Sequence, residues 1–322
     1  MSAWKKLISA LLTLVLLLSV LPAALAEEAV GPVLPAEDQL TEAEAASGSR
    51  SGWYKAGSNW YYYRNGTLVR NDWVKDGGKW YYFKSTGVMC AKEQMLMDNY
   101  VDYYMFGADG AMLTNRWVRT DSSWYAGSVF SSYRSRMDSD WYYCGSDGRL
   151  YNDRWLKYGG YWYLFYGNGS MIRDEVYGDT GKYYYFDTSG HMVTSRWVRR
   201  ESGWLYAGSD GVLYRNRWLS QNGKWYYFDD YRYMVAGGVY TVGGRRYLFS
   251  ASGAMASGSW VQDSAGDWYY ANSDGIALTG KWLKYGGSWY YFGSDSRMLR
   301  SVTQTINGKR YSFNASGVCL NP

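Results

Sequence analysis

The 322 residues carry a net charge of +5 and are 20% aromatic, with 36 Tyr and 18 Trp against 4 Pro and a single His. One histidine, His191, and three cysteines, Cys90, Cys144 and Cys319, exclude His-rich metal centres, Ser–His–Asp triads and Cys–His dyads by counting alone. The remaining reading is a repetitive binding protein that is not an enzyme, with no catalytic residues, no metal site and no cofactor.

In chain order, Lys5 and Lys6 precede an apolar run from Leu7 to Val20, and Ala24-Leu25-Ala26 supplies small residues at the spacing of a cleavage site. Residues 1–26 therefore predict a secretory signal peptide. No second apolar stretch of spanning length follows, so no membrane partner is expected after cleavage, and the protein is expected outside the cell, at the wall or extracellular surface. Residues 27–51 hold Glu27, Glu28, Glu37, Asp38, Glu42 and Glu44 against one base, Arg50, and no aromatic residue. Such a segment cannot bury enough surface to fold and reads as an acidic disordered linker. Removing its acids from the count leaves residues 52–322 more basic than the whole chain, which suits an anionic wall polymer. The three cysteines fall in different repeats and read as small apolar packing residues, not as disulfides.

From residue 52 the chain repeats. Trp155, Val176, Trp197, Trp218, Val239 and Trp260 are each 21 residues apart; Trp282 and Val302 follow, and Trp53, Trp73 and Trp117 continue the series upstream. A second aromatic mark comes about seven residues later, as WYYF at Trp80, Trp225 and Trp289, WYLF at Trp162 and YYYF at Tyr183. A Gly and then Met or Leu close the unit, as at Gly169/Met171, Gly190/Met192 and Gly211/Leu213. Twelve such units predict an all-β solenoid, because one unit alone is too small to bury a face. The fourth departs: Trp117 and Trp141 are its two marks, 24 residues apart, so an insertion near 127–140 must bulge from the array.

Within a unit the aromatic runs flank Gly-Gly or Asn-Gly, the strongest local hairpin signal, and no Pro interrupts residues 52–321. Placing the second unit's turn at Gly77-Gly78 opposes Asp76 to Lys79, Lys75 to Trp80, Val74 to Tyr81 and Trp73 to Tyr82. Strand alternation then puts Trp73, Trp80 and Tyr82 on one face and Val74, Tyr81 and Phe83 on the other. The second set is apolar through nearly every unit and reads as the packing face. Paired Trp on the other face suit a diffuse cation or the flat face of a sugar ring.

These residues, with Trp218, Asn222-Gly223, Trp225-Tyr226-Tyr227-Phe228 and Met234 at their spacing, resemble the choline-binding, or cell-wall-binding, repeat family of Gram-positive surface proteins and phage lysins. They are also similar to the glucan-binding repeats of secreted glucosyltransferases. The resemblance covers residues 52–322. It implies a left-handed superhelix with about three hairpins per turn, and choline of teichoic acid held between hairpins by two Trp of one and a Tyr of the next. Carried over residue by residue, it gives four full sets: Trp53 and Trp60 with Tyr82; Trp155 and Trp162 with Tyr185; Trp197 and Trp204 with Tyr227; Trp260 and Trp268 with Tyr291. Four further pairs are partial: Trp73 and Trp80 meet Met105, Trp117 and Trp141 meet Leu164, Trp218 and Trp225 meet Leu248, and Trp282 and Trp289 meet Ser312.

Alternatives stay open beside choline. The same platforms suit an α-glucan or other polysaccharide, and the insertion or the acidic tail suits a structural surface protein or adhesin. Nucleic acid is not expected as a partner of an exported chain. His191 reads as a solvent-exposed loop residue, and the GSDG strings at Gly145 and Gly208 read as turns because the further acids of a calcium loop are missing. Units near Met95 and at Val176, Val239 and Val302 lack the leading Trp, every third one, and carry Tyr103, Tyr183, Arg246 and Arg310 in place of the second. With three hairpins per turn, Trp pairs would fill two columns. The third would face a phosphate-bearing polymer, a partner, or a second copy of the chain in a homodimer.

Overall fold

The computed structural model describes residues 48–97, 101–128 and 131–322. The signal peptide and nearly all of the acidic linker lie outside the described residues. Those described form 27 strands and no helix. They fall into two compact units, one ending at Cys90 and one running from Ala91 to Pro322.

In the first unit, Gly52–Ala56 pairs with Asn59–Arg64 and then Thr67–Leu68, and Asp72–Asp76 pairs with Lys79–Phe83. The register of the second hairpin is the expected one, with Trp73 opposite Tyr82, Val74 opposite Tyr81 and Lys75 opposite Trp80. Gly77 and Gly78 take φ of 52° and 78°. Both central residues being left-handed gives the turn whose twist matches the flanking strands. Asn222-Gly223 and Thr180-Gly181 do the same in the second unit, with φ of 53° and 71°, and 48° and 81°.

The second unit holds ten repeat hairpins, numbered here third to twelfth, and one more within the insertion. The regular ones include the fifth (Trp155–Tyr158 with Tyr161–Leu164), sixth (Glu175–Asp179 with Lys182–Phe186), seventh (Arg196–Arg200 with Gly203–Ala207) and eighth (Arg217–Gln221 with Lys224–Phe228). Val118, Leu156, Val198, Leu219 and Val261 are buried at the position of Val74, as the strand alternation predicts. The residue that ends the second strand or directly follows it is buried in most hairpins, as Phe165, Phe186, Ala207, Phe228 and Phe249.

The connectors explain the Gly and Met of the motif. In the seventh, Gly208 N–H donates to Val212 C=O at 2.9 Å, closing a tight turn. Leu213 N–H then donates to Tyr183 C=O of the preceding hairpin at 2.8 Å, and Tyr214 N–H to Tyr206 C=O of its own at 2.9 Å. Gly211 sits at φ 81°, and a Cβ there would lie 2.6 Å from Met192 of the preceding connector. Connector therefore stacks on connector, Met against Gly, along one side of the unit.

The insertion does more than bulge. Arg116–Arg119 pairs with Trp141–Cys144 to make the fourth hairpin, so the distant marks Trp117 and Trp141 do meet. Between them Tyr125–Ser128 and Ser131–Arg136 form a hairpin of their own. Tyr125–Ser128 adds in parallel to Glu93–Leu96 of the third hairpin, which also pairs with Tyr103–Phe106, giving a four-stranded sheet.

Candidate ligand site: paired tryptophans between hairpins

Eight hairpins present the same two indoles. Trp53–Trp60, Trp73–Trp80, Trp117–Trp141, Trp155–Trp162, Trp197–Trp204, Trp218–Trp225, Trp260–Trp268 and Trp282–Trp289 have ring centroids 6.1 to 6.4 Å apart and planes 81° to 89° apart. The register produces this: Trp197 faces Tyr206 and Arg199 faces Trp204, so the indoles are diagonal neighbours on one face.

The two members of a pair differ. The first is half-buried under the next hairpin: Trp155 lies 4.9 Å from Tyr184 and 5.7 Å from Phe186, and Trp197 lies 5.1 Å from Tyr226 and 5.4 Å from Phe228. Its indole N–H is also used, donating to Asp76 from Trp53 at 3.0 Å, to Asp179 from Trp155 at 2.8 Å and to Gln221 from Trp197 at 2.6 Å. In the fourth and tenth hairpins an aromatic ring takes the acceptor's place, Tyr158 at 5.9 Å from Trp117 and Tyr285 at 5.8 Å from Trp260. The second Trp is open to solvent in most pairs, with Trp162 40%, Trp204 41% and Trp225 47% exposed, whereas Trp141 and Trp268 are half-buried. Its carbonyl holds the next connector: Met192 N–H donates to Trp162 C=O at 2.8 Å and Met234 N–H to Trp204 C=O at 2.8 Å. A recess thus forms between an exposed indole, a half-buried one, and the Tyr and Met of the following hairpin. Lys157 and Arg199 stand 5.6 Å from the rings of Trp162 and Trp204 respectively.

The tyrosine that meets each pair is one residue earlier than expected. Tyr81, Tyr184, Tyr226 and Tyr290 lie 4.8, 4.9, 5.1 and 5.1 Å from Trp53, Trp155, Trp197 and Trp260. The residues expected there, Tyr82, Tyr185, Tyr227 and Tyr291, sit on the Trp face of their own hairpins. Tyr82, Tyr227 and Tyr291 lie 5.2, 5.0 and 5.0 Å from Trp73, Trp218 and Trp282. Tyr185 donates to Asp174 at 3.1 Å under the Arg200 guanidinium. The reason is the stacking: the Trp face of one hairpin meets the opposite face of the next. Three pairs expected to be partial consequently have their tyrosine, Trp117 with Tyr163, Trp218 with Tyr247 and Trp282 with Tyr311, at 4.8, 5.0 and 4.8 Å. Burial raises the pKa of Tyr163 and Tyr184, so both rings remain neutral at physiological pH.

Hairpins without a Trp pair dock a connector from two hairpins on. Gln94 in the third donates to Asn168 C=O at 2.7 Å, Arg232 lies 3.9 Å over Tyr183 of the sixth, and Arg246 of the ninth donates to Ser294 C=O at 2.7 Å. His191 is not solvent-exposed as expected: its ring stacks on Tyr161 at 3.8 Å, and Nδ1 is 3.6 Å from an Asp187 carboxylate oxygen. The GSDG segments are turns, with Asp147 and Asp210 accepting from the Arg149 and Val212 amides, and no group of metal-holding side chains occurs among the described residues. All three cysteines are buried.

Known proteins share these features. Residues 153–197 and 216–260 match a family model described as a choline-binding repeat, and residues 71–89, 258–277 and 280–295 match one described as a putative cell wall binding repeat. Choline binding protein F of Streptococcus pneumoniae is similar at 27% identity and a TM-score of 0.55, over 84% of this chain and 98% of that one. CbpJ of the same organism is similar at 25% identity and a TM-score of 0.57, over 83% and 99%. Glucosyltransferase-S of Streptococcus mutans is 40% identical over 75 residues, which is 23% of this chain and only 4% of that enzyme's length. Segments matching the two repeat models thus span residues 71–89, 153–197, 216–277 and 280–295, on an all-β hairpin array like that of the choline-binding repeat solenoids.

Proposed function

We propose that this protein attaches non-covalently to a bacterial surface by holding choline groups of wall teichoic acid in the recesses between hairpins. The observation that carries the reading is the repeated exposure of one indole beside a half-buried second indole and the next hairpin's tyrosine. That arrangement places electron-rich ring faces around a space suited to a quaternary ammonium, at about 0.5–2 kcal/mol per contact. Seven pairs, at the first, fourth, fifth, seventh, eighth, tenth and eleventh hairpins, have all three rings. Single sites of this kind are weak, so retention comes from several engaging one polymer, with an avidity gain on the order of 10²–10⁴. The role is attachment, not catalysis, after export through the N-terminal signal.

The similarity to Glucosyltransferase-S supports a second reading, in which the same indoles stack on the sugar rings of an α-glucan. Passing the protein over a choline matrix and a dextran matrix separates the two. The first reading expects retention on choline and elution by free choline; retention on dextran alone supports the second. Elution by salt with choline inert would assign retention to the chain's positive charge.

A further inference from the structure

The ninth hairpin, Gly238–Val242 with Arg245–Phe249, has neither indole: Val239 and Arg246 stand where the pair would be. Where other hairpins expose a ring, this one opens a cavity of about 470 Å³ lined by Arg245, Arg246 and Lys281 with Asn272, Thr279 and Ser294. No carboxylate lines it. Asp295, next to Ser294, is engaged 3.5 Å from Arg297, and Asp274 lies on the Asn272 turn outside the lining.

Arg246 is fixed in place. Its Nη1 donates to Ser294 C=O at 2.7 Å and to Ser296 Oγ at 3.2 Å, in the connector two hairpins on. The Nε and Nη2 donors of the same guanidinium make no hydrogen bond among the described residues. Neither Arg245 nor Lys281 has an ion-pair partner among them either. Arg245, Arg246 and Lys281 thus border one space, whose other walls are the amide and hydroxyl residues named above and the apolar Ile276, Ala277 and Leu278. A planar guanidinium held by a neighbouring backbone, with a second guanidinium and an ammonium on the same lining, is the donor set that a phosphate oxyanion takes.

We infer that this cavity is a phosphate site, separate from the indole recesses, that takes a phosphate monoester or the phosphodiester of an anionic polymer. The indole recesses take a cation and this one takes an anion, so a polymer carrying both charges would be read at two kinds of site on one array. The inference stands whether or not the recesses bind choline.

The test is calorimetric titration of the full-length protein with glycerol phosphate and with poly(glycerol phosphate), in saturating choline so that the indole recesses are occupied. The variant Arg245→Gln/Lys281→Gln removes two charges and leaves the Arg246–Ser294 contact intact. Lys182→Gln/Lys224→Gln removes the same charge from exposed strand ends elsewhere. Saturable one-to-one binding of either probe, weakened at least tenfold in the first variant and within twofold in the second, is the expected result. Tighter binding of the polymer assigns the site to a phosphodiester, and tighter binding of the monomer to a phosphate terminus or free phosphate. An unchanged circular dichroism spectrum and an unchanged response to choline establish that the first variant is folded. Absence of saturable binding, or equal losses in both variants, overturns the inference.

Discussion

Two glycines of the sixth hairpin provide a matched pair. Gly181 in the turn and Gly190 in the connector have φ of 81° and 78°, so alanine is strained to the same degree at both. Nothing lies within 4 Å of a Cβ at Gly181, whereas one at Gly190 would sit 2.5 Å from Met171 Sδ. Left-handed alanine costs about 1–2 kcal/mol, and lowering the unfolded chain's freedom returns about 0.4–1 kcal/mol. Gly181→Ala is therefore expected to destabilise by about 1 kcal/mol. Gly190→Ala adds an overpacking cost of about 1–3 kcal/mol, because Met171 is 5% exposed and must be displaced within packed surroundings. Met192, whose amide holds Trp162 C=O, lies two residues on, so Gly190→Ala also weakens ligand binding at the Trp155–Trp162 recess. Guanidinium unfolding followed by Trp fluorescence measures both costs, and the Met171→Ala background isolates the clash. In that background Gly190→Ala should cost no more than Gly181→Ala. Equal costs in the wild-type background, or a coupling below about 0.5 kcal/mol, would refute connector stacking as the reason for the glycine.

Trp204→Ala should remove one binding site at modest stability cost, since the indole is 41% exposed, whereas Tyr226→Ala, half-buried against Trp197 between two hairpins, should weaken the same site and also destabilise by about 2 kcal/mol; equal thermal shifts would contradict the packing role of Tyr226. Burial pushes Tyr142 up to about 12 and raises Tyr163 and Tyr184, so their contribution to stability is whole below the unfolded value of about 10 and is lost as pH rises toward the folded values. Melting temperature should be flat from about pH 7 to 9 and fall between about 10 and 12; a fall starting near pH 7 would contradict this. Burial also pushes the Cys144 thiol up to about 12, so thiol reagents at pH 8 should label it only on unfolding, and stoichiometric labelling of the native protein would contradict its burial.

Hairpin register, the buried Val or Leu line and the meeting of Trp117 with Trp141 were legible because each follows from strand alternation and turn chemistry within one unit. The tyrosine that closes each recess was not. Alternation says which side chains share a face, but not which face of the next hairpin that face meets, and Tyr184 against Trp155 is a contact between opposite faces. A signal was present in Asp76, Asp179 and Gln221, polar residues just before the turn that accept the preceding hairpin's indole N–H. The docking of Tyr125–Ser128 on Glu93–Leu96 was illegible for another reason: a parallel pairing between distant segments leaves no local pattern. His191 was misplaced because its stacking partner, Tyr161, belongs to the preceding hairpin.

The most direct test of the account is calorimetric titration of the protein with free choline, repeated with dextran. The account predicts saturable choline binding at about seven sites, each with a Kd on the order of 1 mM, and no heat from dextran. Silence with choline, or binding of dextran that choline does not displace, would contradict it.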